Sequence, residues 1–435
     1  MQLNECAELP PSAKPATNSN ATFPSAASIA NTAGAISDSE RYSRQVLFSG
    51  IGAQGQQRLA TSHVAIVGCG AMGAASASLL ARAGVGTLTL IDRDFVEPSN
   101  LQRQVLYDEA DAREALPKAE AARRHIALFN SGIKVHARIA DLTPANIAEL
   151  LSPQGTNESP APQIILDATD NFETRYLIND FAVERGLPWI YSAAIGAYAA
   201  TMNILPLLSH SELPLSSRSA AEGSAFPPDS ARTPGEPSMA QSHRDMGGKE
   251  TPPTACLACI FPKPPTGNVE TCDTAGILST AVNLAASIQV TEALKFLTGQ
   301  SNLMRRTLVS FDLWSLIGNG KIDHSEIATG SPRADCEVCG RRIFTHLTGE
   351  NRAHITLCGR DSVQIHEHHR PVDFNALRAR LADHSEIVDL RSNELLLRFR
   401  RGSHTLTVFA DGRAIVQGTT DIAVARSLYA RFIGA

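Results

Sequence analysis

The residues best suited to chemistry lie between Val64 and Asn171, where a glycine-rich loop is followed by fixed charges in a set order. The loop is GCGAMG, Gly68 to Gly73, directly after the apolar run Val64-Ala65-Ile66-Val67. Asp92 ends the run TLTLID, nineteen positions beyond Gly73. Then come SNLQRQ (Ser99 to Gln104), Pro117-Lys118 and ATDN (Ala168 to Asn171). Gly68, Gly70 and Gly73 permit a tight strand-to-helix turn and close backbone approach, which seats phosphates on the N-terminus of a helix beginning near Ala71. Asp92, at the end of the second strand, is placed to accept ribose hydroxyls. The loop alone also fits a close-packed βαβ turn with no ligand, and loop plus acid fits an NAD-dependent oxidoreductase. Arg103, Lys118 and a second acidic site at Asp170 are what a bound triphosphate needs and a nicotinamide does not.

A second constellation is built on sulfur. Of eight cysteines, four form two CxxC pairs, Cys256/Cys259 and Cys336/Cys339. Thiolates at that spacing can both reach one tetrahedral metal, and two such pairs complete a closed structural zinc site. The 77 positions between Cys259 and Cys336 make this a long-range clip rather than a zinc finger. A redox role for one pair is the alternative, but neither follows a thioredoxin-like βαβ pattern. Cys6, Cys69 and Cys358 are isolated and read as tail or packing residues. HEHH at His366 to His369 offers metal ligands, but its polar density reads more simply as an exposed loop.

The elements that must hold these groups alternate along the chain. Residues 1–38, rich in Ala, Ser, Pro and Asn, cannot bury enough surface to offset their ordering entropy, and read as a disordered tail. A helical pattern starts at Glu40 and runs through RYSRQVLFSGIGAQGQQRLA. VAIVG, a small-residue helix to Ala83, TLTLID, the helix PKAEAARRHIALFN, KVHARIA, QIILDATD, a helix through Arg175 to Arg185, and PWIYSA follow in turn. That alternation predicts a Rossmann-like, doubly wound, mainly parallel α/β sheet. AYAATMNILP reads as a further strand turning back antiparallel. Residues 207–253 collapse to Ser, Pro, Gly and scattered charge and read as an inserted flexible loop. A helix from Asp273 to Leu297 and the strand TLVSFDLW complete this unit, 39–347. A small C-terminal α+β domain, 348–435, follows. It has strands at VQIH, EIVDL, LLLRFR, TLTVFA and AIVQG, a DG hairpin turn at Ala410 to Arg413, and helices near Phe374 to Leu381 and at DIAVARSLYARFIG.

Composition narrows the function classes. The chain has 435 residues, 43% of them hydrophobic, with a net charge of -5, enough for two or three domains with sizeable cores. No basic block large enough for nucleic acid occurs. Lys14 is the first basic residue and no apolar run follows it, so no secretory signal is expected. The apolar stretch Ala275 to Val290 is interrupted by Thr280, Asn283, Ser287 and Gln289, and is too short for a bilayer span. A soluble, cytoplasmic protein without membrane partners is expected.

RYSRQ, GCGAMG, the ID of TLTLID, SNLQRQ, PK, TDN, CxxC, TCDTAG and the second CxxC occur in the order found in the ThiF/MoeB family, which this chain resembles from about Ser39 to Leu347. Members resemble the adenylation domain of ubiquitin-activating enzymes. They activate the C-terminal glycine of small ubiquitin-like sulfur carriers, ending in Gly-Gly, for thiamine or molybdopterin synthesis. The resemblance implies ATP and Mg²⁺ as cofactors besides Zn²⁺, a homodimer, and a sulfur donor protein as a further partner. It places Arg103 and Lys118 on the phosphates, with Ser99, Asn100, Leu101, Gln102 and Gln104 in support. Asp170, with Asn171 beside it, takes the magnesium, and Arg44 reaches into a partner's nucleotide site. Cys272, in TCDTAG, matches the position of a covalent carrier intermediate, a thioester or an acyl disulfide. A thiol before a helix N-terminus has a lowered pKa, and a passive role stays open. A non-catalytic scaffold that only holds a carrier is a third reading. The last domain resembles, more weakly, an extension seen on some ThiF-like proteins.

Overall fold

The structure, a computed structural model, describes residues 37–151, 161–207, 252–264, 272–317, 321–348, 356–357, 362–365 and 371–433. Residues 1–36 of the expected tail (1–38), residues 208–251 of the expected insertion (207–253), Cys6, Cys358 and HEHH lie outside them. The chain divides at residue 43 into two units. In the first, Ser37 caps one helical turn, Asp38–Arg41, through its side-chain oxygen.

The second unit is built on two sheets. The first has eight strands in the order β3-β2-β1-β4-β5-β6-β7-β8. These are β1 (His63–Val67), β2 (Thr87–Ile91), β3 (Lys134–Arg138), β4 (Ile164–Asp167), β5 (Trp189–Ile195), β6 (Tyr198–Ile204), β7 (Thr307–Ile317) and β8 (Lys321–Ala328). β3 to β5 through β2, β1 and β4 pair parallel; β6, β7 and β8 add on antiparallel. β1, β2 and β4 are buried along their length, as strands covered on both faces must be.

Helices Ala71–Ala83, Lys118–Phe129 and Ser279–Leu297 contribute to one apolar core, and helix Phe172–Arg185 to another with Trp189, Met202 and the clustered cysteines. Ala71–Ala83 is nearly all small residues and is buried at Met72 to Ala77. It lies against Ser279–Leu297, where Ser76 Oγ donates to Gln289 Oε1 at 2.9 Å. The reversal at the β1 crossover, with β2 on one side and β4 on the other, opens a crevice at the carboxyl ends of these strands.

The second sheet has the order β11-β12-β13-β14-β10-β9, with β9 (Thr356–Leu357), β10 (Ser362–Ile365), β11 (Val388–Ser392), β12 (Leu396–Arg401), β13 (His404–Phe409) and β14 (Ala414–Gln417). Helices Phe374–Ala382 and Ile422–Phe432 close over it, around Leu381, Phe399, Leu406, Val408 and Phe432. The DG turn joins β13 to β14, with Gly412 at φ 85.

Several expectations are corrected. The helical pattern from Glu40 is three pieces, Asp38–Arg41, Ser43–Val46 and Gly52–Thr61, broken where Gly50 and Gly52 punctuate it. The helix expected from Asp273 to Leu297 is also divided. A single turn, Cys272–Ala275, ends at Gly276 (φ +74), and the long helix starts at Ser279. β8 was not expected, because KIDHSEIA is mostly polar, which an edge strand tolerates. No helix among the described residues is long and apolar enough to cross a membrane.

Candidate active site

The three loop glycines do different work. Gly68 has φ +91, and a Cβ there would stand 2.5 Å from the Ala168 carbonyl oxygen. A Cβ on Gly73 would run into the Gly68 carbonyl. Both glycines are therefore required by packing between β1, β4 and the following helix. Gly70 is not. It caps helix Ala71–Ala83 at φ -69, and the nearest atom to a Cβ placed there is Gln104 Nε2, 4.0 Å away. The space over the helix start is open on the side that faces SNLQRQ, which is the cradle a phosphate would fill.

Asp92 lies at the end of β2 and is turned toward this loop. Its Oδ2 accepts from Cys69 N at 2.5 Å and its Oδ1 from Asp94 N at 2.6 Å. Burial pushes its pKa up, and Lys118 opposes that shift. Lys118 opens helix Lys118–Phe129 and is only 2% exposed. Its Nζ pairs with Asp94 Oδ2 at 3.2 Å. Burying an ammonium requires such a partner, and Asp94 is a residue the sequence reading missed. Tyr107 joins the loop to this helix: its hydroxyl donates to the Cys69 carbonyl at 2.7 Å and the Lys118 carbonyl at 3.2 Å. Cys69 is no nucleophile, because burial, then the Asp92 charge, push its thiol pKa well up.

SNLQRQ forms a short turn, Pro98–Asn100, with a capping box between Glu97 and Asn100. Asn100 is buried, its Oδ1 accepting from Glu97 N at 3.0 Å. Gln104 is buried with Oε1 lacking a hydrogen-bond partner. That orphan acceptor beside the open cradle fits a missing donor or ion. Arg103 is half-exposed and donates Nη1 to the Ser99 carbonyl at 2.7 Å. Leu101 is half-buried and Gln102 exposed.

The TDN turn follows β4. Asp170 is exposed, at the same edge of the sheet as the glycine loop. Asn171 Oδ1 accepts from Thr174 N at 2.8 Å and so caps helix Phe172–Arg185, a structural duty for a residue expected at the nucleotide. Beneath the turn sits a buried pair that sequence reasoning also missed. Asp167 accepts from Thr169 N and Oγ1 at 2.9 and 2.7 Å and faces Arg175 Nε at 3.3 Å. Arg175 Nη2 donates to the Thr169 carbonyl at 2.6 Å, and Gln289 Nε2 to the Asp167 carbonyl at 2.8 Å. The turn presenting Asp170 is thus braced from below.

Arg44 is exposed on the turn Ser43–Val46. Its neighbour Gln45 donates Nε2 to the Ala83 carbonyl at 2.8 Å, at the far end of the helix whose start holds the glycine loop. Thirteen residues at about 1.5 Å rise separate those ends by roughly 18 Å, beyond an arginine's reach. Cys272 begins the single turn Cys272–Ala275, and the long helix starts seven positions later. The helix start expected at Cys272 is therefore that of one turn.

The four CxxC sulfurs meet. Cys256 Sγ lies 3.8 Å from Cys259 and 3.6 Å from Cys336, and Cys259 lies 3.3 Å from Cys339. All four lie within 4.8 Å of one another. Hydrogen bonds from Cys256 and Cys339 pull the Cys259 thiol down to about 2, and the bond to Cys259 pushes Cys256 up. Four thiols so placed can shed protons to a thiophilic cation, and the donor set fits a zinc clip. The clip is tied to helix Phe172–Arg185 on both sides: Leu257 N donates to Asn179 Oδ1 at 2.9 Å, and His346 N to Asp180 Oδ2 at 3.0 Å.

This arrangement matches a known family. A model described as the ThiF family covers residues 42–338. The chain belongs to the ThiF family. It is 38% identical over 397 residues to a sulfur carrier protein ThiS adenylyltransferase of Bacillus subtilis, spanning 91% of this chain and 99% of that protein. A sulfur carrier protein adenylyltransferase of Thermus thermophilus is 32% identical over 274 residues, spanning 63% of this chain and 83% of that one. A crystal structure of E. coli MccB shares the fold, with a TM-score of 0.50 at 21% identity over 70% of this chain and 75% of that one.

Proposed function

We propose that this ThiF-family protein is an ATP-dependent adenylyltransferase that activates the C-terminal glycine carboxylate of a small ubiquitin-like sulfur carrier as an acyl adenylate. The observation that carries the reading is the open space over Gly70, where Gln104 Nε2 at 4.0 Å is the nearest atom, on a loop whose next residue back, Cys69, is held by Asp92 at the carboxyl end of β2. The relatives named as sulfur-carrier adenylyltransferases supply the substrate class. An NAD-dependent oxidoreductase is not favoured by these relatives.

In the reaction, a carboxylate oxygen of the carrier bonds to the α-phosphorus of ATP. The bond to the bridging oxygen breaks, and pyrophosphate leaves with the electron pair. Two anions must meet, so fixed cations carry much of the catalysis. Lys118 faces the phosphates from the helix start, with Asp94 holding it in place. Arg103, whose guanidinium is engaged by a carbonyl rather than a carboxylate, keeps its charge available. Asp170 would hold Mg²⁺, which neutralises phosphate charge. Gly68, Gly70 and Gly73 shape the cradle, Asp92 takes the ribose, and Ser99 to Gln104 line the site. We assign zinc to Cys256, Cys259, Cys336 and Cys339. We divide the chain into a tail (1–38), an adenylating domain (39–347, with 207–253 inserted) and a C-terminal domain (348–435).

We further propose a homodimer in which Arg44 serves the partner's site, since it is anchored about a helix length from its own. Exposed Leu47, Phe48 and Leu303 surround that anchor, where Gln300 bonds the Gly50 carbonyl, and supply an apolar contact. Cys272 would take the acyl group as a thioester or acyl disulfide, with sulfur from a separate donor protein. A reducing, ATP-containing cytoplasm suits both thiols and substrate.

The test is exchange of labelled pyrophosphate into ATP, with magnesium and carriers of the thiamine and molybdopterin types ending in Gly-Gly. Carrier-dependent exchange, lowered at least 10²-fold by Arg103→Ala, is expected. Carrier binding without exchange would leave only a scaffold, and tight NAD binding without exchange would restore the oxidoreductase.

A further inference from the structure

The C-terminal domain grips one segment of the adenylating domain, the stretch Arg93–Leu116 that connects Asp92 to Lys118. Arg413, 1% exposed and stacked 4.1 Å over Phe409, donates Nη1 to the Arg93 carbonyl at 3.4 Å. Gln417 Nε2 donates to Glu97 Oε1 at 3.1 Å, and Glu97 is the residue whose side chain caps the turn carrying Asn100. Arg398 lies 4.7 Å over the Phe95 ring. At the other end of the segment, Arg391 Nη1 donates to the Arg113 carbonyl at 3.0 Å. Phe95 and Ala115 pack with Leu396, Phe409 and Ile415 in one buried cluster.

The gripped segment holds much of the proposed nucleotide site. Asp94 pairs with Lys118, and Arg93 pairs with Asp141 at 3.1 Å. Asp141 in turn accepts from Gln364 of the C-terminal domain at 3.3 Å. The adenylating domain itself holds the middle of the connection through Tyr107 and through Val96, Leu106 and Leu116 in its main core. The C-terminal domain adds holds at Arg93, Phe95, Glu97 and Arg113, and ordering entropy not removed there would fall on nucleotide binding.

We propose that the C-terminal domain is a clamp on the Asp92–Lys118 connection, with Arg413 and Gln417 as positioning residues that preorganise Asn100, Gln104 and Lys118 for ATP. The proposal rests on the nucleotide-site reading above. Neither residue touches the cradle, so their effect must be on how the site is held.

The experiment compares Arg413→Met/Gln417→Leu, Lys118→Ala and Leu377→Ala with the full-length wild type. Leu377 is buried in the C-terminal core, so Leu377→Ala reports what instability alone does. KM for ATP and kcat are read from pyrophosphate exchange at 20 °C, and amide hydrogen exchange is followed over residues 95–104. The double variant should raise KM for ATP about tenfold with kcat changed less than about threefold, and speed exchange in that segment. Leu377→Ala should lower the melting temperature without raising KM. An unchanged KM in the double variant, with Lys118→Ala impaired, overturns the clamp alone. A KM rise as large in Leu377→Ala as in the double variant also overturns it. Unimpaired Lys118→Ala overturns the nucleotide-site reading, and the clamp with it.

Discussion

Gly70→Ala and Gly73→Ala add the same methyl group to one loop and should have opposite consequences. At Gly73 the new Cβ meets the Gly68 carbonyl, a backbone atom that cannot rotate away. Helix propensity would favour alanine there by about 1 kcal/mol. Displacing a β1–loop–helix junction at close packing costs about 1–3 kcal/mol or more, so the variant should be the less stable. Gly68→Ala should also be destabilised, by about 1–2 kcal/mol for the left-handed backbone and further by the 2.5 Å approach to Ala168. At Gly70 the backbone is extended, φ -69, and the methyl would stand in open space. Stability should therefore stay within about 0.5 kcal/mol of wild type. On the proposed nucleotide-site reading the methyl would take the place of a phosphate oxygen, so ATP affinity should fall at least about tenfold, or 1.4 kcal/mol. Urea unfolding gives the first quantity and calorimetric ATP titration the second. A folded Gly70→Ala that binds ATP as wild type does would refute the cradle and return the loop to a packing turn.

Freshly prepared protein should contain about one zinc per chain, and Cys259→Ser should lose it and fall in stability; metal analysis finding none would remove the clip. Mixing inactive Arg44→Ala and Lys118→Ala proteins should restore about a quarter of wild-type exchange through hybrid dimers with one intact site; no recovery after demonstrated subunit exchange would place Arg44 outside the partner's site. Cys272→Ala should keep pyrophosphate exchange yet lose a carrier adduct released by hydroxylamine or by reductant, as read by intact mass; an identical adduct in both proteins would make the thiol passive. The hydrogen bond with Asp111, at 2.7 Å, raises the His125 pKa despite burial. A raised folded-state pKa gives stability that is full below the unfolded value and lost as pH rises through the folded one. The stability advantage of wild type over His125→Gln should thus shrink from pH 6 to pH 9, and a growing advantage would reverse the assignment.

The parallel half of the large sheet was legible because each buried strand is a short apolar run bounded by turn residues, as VAIVG and TLTLID are. The antiparallel return of β6 was legible too, since only Gly196 and Ala197 separate it from β5. β8 escaped because an edge strand needs no apolar run. The break at Gly276 escaped because a lone glycine ahead of an apolar helical pattern does not by itself separate CDTA from it; the positive φ of Gly276 ends the first turn.

The proposed site was legible in its charged motifs and illegible in its supports. Arg103, Lys118 and Asp170 stand in short motifs whose spacing has a meaning. Asp94, Tyr107, Asp167, Arg175 and Gln289 act through contacts that cross the sequence, such as Gln289 to Asp167 over 122 positions. The physical demand behind them shows only once burial is known. A lysine buried to 2% must have a carboxylate, and the acidic residues of IDRDF are the near candidates. On the proposed reading, a TDN turn that presents Asp170 to a triphosphate must be held against that charge. The Arg175 guanidinium, fully enclosed and bonded to the Thr169 carbonyl, supplies the hold. Arg103 and Asp170 reach the surface, Lys118 is buried beside the half-buried Asp94, and the Asp167–Arg175 pair that braces the TDN turn lies beneath it.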